Sequence, residues 1–165
     1  MTSAEELPPV PADPLEPGGR IVVGVDESDN AVVALRWALR EALVRKASVE
    51  VVHAWLPPVT ALPFGATLPV ALDEGEMDAA ARAYLDEVVD PALAELAEAP
   101  DVTRTVLPGS AAPTLVDVAE GASLLVVGSH GRTGWRKLML GSVADAVVQH
   151  ATCPVVVVRL PDAED

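Results

Sequence analysis

Apolar residues fall into two textures along the chain. Short unbroken runs of β-branched residues alternate with longer stretches in which apolar positions return every three or four residues. The first texture suits strands buried on both faces, and the second suits helices with one buried face. IVVGV, residues 21–25, opens the series and runs into Asp26. ESDNAVVALRWALREALVRKAS then carries Val32, Leu35, Leu39 and Leu43 at helical spacing, with Ser28 or Asp29 placed to cap the helix. VEVVHAW, residues 49–55, reads as a second strand. In LPPVTALPFGATLPVALDEG the prolines are expected to break any regular element. A helix is predicted over 76–98, with Pro91 expected to kink or split it. VTRTVLPG alternates like a half-buried third strand. Ser110 is expected to cap AAPTLVDVAEGA, where Pro113 fits a first helical turn. LLVVG, residues 124–128, is a fourth strand; a helix is predicted from Ser142 to His150, and the VVVV run after Pro154 is a fifth strand.

Strands alternating with helices imply parallel pairing and right-handed crossovers. The expected class is therefore α/β, an open doubly wound sheet, with no internal repeat. Residues 1–19 hold five of the 15 prolines and no basic residue, which predicts a disordered tail. One folded unit is expected over 20–160, with a short C-terminal tail at 161–165.

Composition narrows the partners. Asp and Glu number 25 against 11 Lys and Arg, a formal charge of −14. That balance argues against a nucleic-acid backbone or an anionic membrane as the main partner, but leaves room for a small anion in a local pocket. Aromatic residues are scarce, so an extended base-stacking surface is not expected. The uncharged stretch Trp55 to Leu72 contains four prolines and a glycine and is a poor membrane helix. The acidic, proline-rich start does not read as a secretory signal, and the single Cys153 builds no disulfide framework, so a cytoplasmic location is expected.

The chemistry concentrates in GSHGRTGWRKLMLGSVADAVV, residues 128–148. Gly128 is followed after two residues by Gly131, and Gly131 after nine by Gly141, with Ser142 next. The first glycine ends a strand and the last precedes a helix. A helix start offers unpaired N–H groups and a positive dipole end, and glycines let backbone N–H groups approach an anion closely. Ser142 adds a hydroxyl for a phosphate oxygen or a metal, and also reads as an N-cap. Arg132 stands ready to add positive charge, or is an ordinary surface residue. Phosphate is the ligand this arrangement suits. GxxxxGK[ST], GxGxxG and GxSxG are all absent, which removes the usual P-loop, the dinucleotide fingerprint and the hydrolase elbow.

The spacing Gly128-x2-Gly131-x9-Gly141-Ser142 resembles the ATP-binding signature of the universal stress protein family. The similarity extends to VGVDESD, VVHAW and the run from LLVVGSHGRTG to ATCPVVVVR, and covers Arg20 to Leu160. The resemblance implies a five-stranded parallel sheet in order 3-2-1-4-5. Strands 1 and 4 are then neighbours where the winding reverses, the usual ligand position in such sheets. It implies that Asp26 meets the ribose and adenine end and that Ala54 lines the base. Gly128, Gly131, Arg132, Gly141, Ser142 and Val143 would surround ribose and phosphates, with Mg2+ accompanying ATP through Ser142. Asp26 also has a simpler reading, as a cap of the first helix. Ala54 is smaller than the aliphatic residue of some relatives, which loosens the adenine wall. The resemblance further implies a two-fold dimer, with the fifth strand, Val155, Val156, Val157 and Val158, pairing antiparallel with its copy.

No nucleophile or orienting carboxylate adjoins His130 in sequence, so it reads as a loop histidine rather than a catalytic one. His53 and His150 read as structural histidines, and Cys153 as a small buried apolar residue. The functional expectation is ATP-dependent regulation in a stress response. A slow ATPase and a family member that binds no nucleotide are the alternatives.

Overall fold

The computed structural model describes residues 18–57, 59–61, 67–69, 73–130 and 140–160. Among these described residues, seven strands and four helices follow one another as β1 (Arg20–Gly24), α1 (Asp29–Arg45), β2 (Ser48–Trp55), β3 (Val59–Ala61), β4 (Thr67–Pro69), α2 (Glu74–Ala94), β5 (Val102–Pro108), α3 (Ala111–Val118), β6 (Leu124–Gly128), α4 (Ser142–His150) and β7 (Val155–Val158). Five of the strands form one sheet in the order β5-β2-β1-β6-β7, and every pair in it is parallel. Counted among these five, the order is the expected 3-2-1-4-5.

Strand alternation divides the interior into two layers. Ile21 and Val23 of β1, Val49 and Val51 of β2 and Leu124 and Val126 of β6 face α1 and α2. Val22, Val52, Leu125 and Val127 face the other way, into a second cluster with Leu115 of α3 and Ala144 and Val147 of α4. This double burial is why the strands read as unbroken apolar runs. The buried face of α1 is Ala31, Ala34, Leu35, Ala38, Leu39 and Ala42. Its alanines let the helix approach the sheet closely. Cys153 is buried in the second cluster, as expected, and burial raises its thiol pKa.

Several expectations need correction. The proline-rich segment after β2 contains a two-stranded antiparallel ladder, with Val59 opposite Pro69 and Ala61 opposite Thr67. An extended backbone suits proline, and a two-stranded ladder leaves an edge where a missing N–H is harmless. Helix α2 runs unbroken through Pro91, which lies in its last turn, and ends at Ala94 rather than residue 98. There the backbone tightens, with Leu96 N–H donating to Leu93 O at 3.0 Å. Ser110 occupies the N-cap of α3, but its hydroxyl makes no capping bond. Helix α3 stops at Val118 and not at residue 122. Arg20 closes that end, donating to the carbonyls of Val118 at 2.9 Å and Glu120 at 3.0 Å. His150, read as structural, is exposed in the last turn of α4.

Candidate functional site

The carboxyl ends of β1 and β6 lie side by side where the sheet reverses its winding. From β1 the chain passes through Val25, Asp26 and Glu27 to Ser28, the N-cap of α1. The Ser28 hydroxyl oxygen accepts from Ala31 N–H at 3.2 Å, so it caps the helix. Ser28 also turns back on Asp26: its N–H donates to Asp26 Oδ1 at 3.1 Å, and its hydroxyl donates to the same oxygen. Asp26 is thus not itself the cap of α1, and its carboxylate is held through Ser28. The backbone of this loop is held from the other side by His53 Nδ1, 2.9 Å from Val25 O, and by the Tyr84 hydroxyl, which donates to Asp26 O.

Beyond β6, Ser129 is buried and acts as a junction. Its N–H donates to Val158 O at 2.8 Å, and its carbonyl accepts from Gly141 N–H at 2.7 Å. The second bond fixes the start of α4 beside the end of β6. Ser28 Oγ lies 3.4 Å from His130 O, so the loop after β1 touches the residue pair after β6. Asp26, Gly128, Gly141 and Ser142 therefore come together on one side of the sheet. Ala54, next to last in β2, lies on the same carboxyl edge. Gly131 and Arg132 lie outside the described residues.

Gly141, rather than Ser142, is the N-cap of α4. It is extended, with φ −65° and ψ 158°, and its carbonyl accepts from Asp145 N–H at 2.9 Å. Ser142 is the first helical residue, and its side chain is exposed. Having no side chain, Gly141 cannot cap the N–H groups of Ser142, Val143 and Ala144. Val143 turns its side chain toward the second core cluster, leaving its backbone as the polar group at this end. An anion is the ligand such a helix start accepts.

Gly128 has a second reason to be glycine. A Cβ there would stand 2.9 Å from the carbonyl carbon of Asn30 and equally close to the Asn30 Cβ. The first turn of α1 presses on this residue from within the protein. Asn30 Oδ1 also accepts from Leu160 N–H at 3.2 Å, joining α1 to the end of β7.

His53 is structural, as expected, and Tyr84 is its neighbour, with ring centroids 4.9 Å apart and a 54° tilt. Sequence reading missed Tyr84. No motif marks it; only its place on the buried side of the α2 pattern carried any signal. His130 follows β6 in the loop, with Nδ1 3.1 Å from Ser129 Oγ. Among the described residues no group of three or more His, Cys, Asp or Glu is placed to hold a metal, and no helix is long and apolar enough to cross a membrane.

A model of the universal stress protein family matches residues 19–159. The chain is 37% identical over 149 residues to a universal stress protein of Mycobacterium tuberculosis, a match covering 87% of this chain and 48% of that protein. It spans about half the length of the curated relatives it matches. Among solved structures, the universal stress protein UspA from Lactobacillus plantarum superposes with a TM-score of 0.69 at 26% identity, covering 86% of this chain and 97% of that one. A universal stress protein solved in complex with cAMP gives 0.64 at 28% identity, covering 86% and 96%.

Proposed function

The chain belongs to the universal stress protein family, and on that premise we propose that it binds ATP at the β1–β6 switch point and acts as a nucleotide-dependent regulator of a stress response. The observation that carries this reading is the start of α4. Its first N–H groups have no side-chain cap, and Gly141 is tied beside β6, opposite the Asp26 loop. The cAMP complex of a relative supports an adenine nucleotide as the ligand class. Asp26 takes the ribose and adenine end, with Ala54 against the base. Gly128, Gly131, Arg132, Gly141, Ser142 and Val143 surround ribose and phosphates through their backbone N–H groups and the Arg132 charge. The exposed Ser142 hydroxyl fits a Mg2+ held mainly by the phosphates. ATP would supply a charged triphosphate whose presence or absence changes the surface between the two loops. A cytoplasmic location accords with the free Cys153 thiol.

We also propose a two-fold dimer in which β7 pairs antiparallel with its copy. All four valines of β7 are only half-buried in the single chain, and β7 is an edge strand. Native mass spectrometry of the purified full chain, with and without added ATP, tests both readings. A dimer carrying one ATP per subunit is expected. A chain that stays free of nucleotide at millimolar ATP rejects the binding role, and loss of the terminal phosphate on incubation would make it an ATPase.

A further inference from the structure

We propose that Tyr84 and His53 are positioning residues for nucleotide recognition, holding the consecutive carbonyls of Val25 and Asp26 so that the Asp26 carboxylate is presented to the ribose. This rests on the reading of Asp26 as a nucleotide contact. A carbonyl oxygen only accepts, so His53 carries a hydrogen on Nδ1, 2.9 Å from Val25 O. Tyr84 donates its hydroxyl to the next carbonyl, Asp26 O. The two rings support each other at 4.9 Å. One comes from β2 and the other from α2, so two elements grip one short loop.

The grip is surplus to the needs of α1. Ser28 already caps that helix through Ala31 N–H. Asp26 is nevertheless fixed twice, at its carbonyl by Tyr84 and at Oδ1 by the N–H and hydroxyl of Ser28. Neither Ser28 bond uses Oδ2. An acidic side chain held at its backbone and at one oxygen keeps the other oxygen in a set place. An acceptor so placed can take a hydrogen bond from a ribose hydroxyl without first having to be ordered.

The test is isothermal calorimetry of ATP binding by the full chain in a double-mutant cycle. Tyr84→Phe keeps the ring and removes the bond that sets the Asp26 carbonyl, and the resulting misplacement of the carboxylate is expected to lower affinity about fivefold, or about 1 kcal/mol. Asp26→Asn keeps an Oδ1 acceptor for Ser28 and weakens binding by itself. In the Asp26→Asn background, Tyr84→Phe is expected to have no further effect, because it acts only through Asp26. His53→Asn retains a donor near the Nδ1 position and is expected to bind ATP more tightly than His53→Leu, which has none. An equal loss in both backgrounds, or unchanged affinity of a folded Tyr84→Phe chain, overturns the inference while leaving ATP binding intact. Failure of the wild-type chain to bind ATP overturns the proposed function itself, and this inference with it.

Discussion

Gly128 and Tyr84 show how much a single residue position is governed by its neighbours. Gly128 ends β6 with no room for a side chain, because Asn30 backbone atoms stand 2.9 Å from where a Cβ would sit. Backbone cannot swing aside as the tip of a long side chain can. Gly128→Ala is therefore expected to cost about 1–3 kcal/mol as an overpacked contact. Urea unfolding should show a lower midpoint with an unchanged slope; an unchanged midpoint would mean that α1 yields. Tyr84 is the only tyrosine of the chain, so its ionisation can be followed directly. Burial first, and then the charges of Asp26, Glu27 and Glu87, push its phenol from 10.0 up to about 12. The folded chain then holds the phenolic proton where the unfolded chain has released it. This contribution to stability is complete below pH 10 and is lost as pH rises from 10 toward 12. A spectrophotometric titration should give a tyrosinate midpoint near 12 in the native protein. A native midpoint at the unfolded value would mean that the ring lies in water.

At the scale of elements, the ends of helices separate structure from binding. Helices α1 and α2 take side-chain caps, from Ser28 to Ala31 N–H and from Asp73 to Gly75 N–H. Helices α3 and α4 both start without one, and α4 does so where Gly141 is tied beside the end of β6. Gly141→Asp would place a carboxylate where the phosphates are proposed to bind. It is expected to stabilise the free protein by about a few tenths of a kcal/mol, since glycine is only slightly inferior at that position. It should also weaken ATP binding by at least about tenfold, because the carboxylate both occupies and repels the phosphate position. Thermal unfolding without nucleotide and calorimetry with it should therefore move in opposite directions. Retained ATP affinity would remove α4 from the site.

At the scale of the whole molecule, the five-stranded sheet has two edges of opposite character. On the β5 edge, Arg104 is engaged by Asp86 and Asp90 of α2, and Pro108 closes the strand. Charged side chains and proline discourage strand addition. On the β7 edge stand Val155 to Val158, all half-buried, with no charged residue among them. The asymmetry favours β7 over β5 as the edge of the proposed dimer. If the proposed β7 dimer forms, Val157→Asp is expected to convert it to a monomer in sedimentation experiments, with the far-ultraviolet dichroism preserved. A dimer that persists would move the interface off β7.

Much of this protein was legible one residue after another. The unbroken runs at 21–25, 49–55 and 124–128 announced strands buried on both faces, and their alternation with helices announced a parallel sheet. The spacing of Gly128, Gly131, Gly141 and Ser142 is what suggested a phosphate site, and that assignment stays a proposal. These signals are local, because a strand or a helix repeats its own period and a motif its own spacing. What tertiary structure decided has no period. It made Gly141 the cap instead of Ser142, carried α2 past Pro91 and brought Tyr84 onto the Asp26 carbonyl across 58 positions of sequence. It also supplied a second cause for Gly128, the backbone of Asn30. Such contacts depend on how closely separate elements approach in space, and no pattern within a single element encodes that distance.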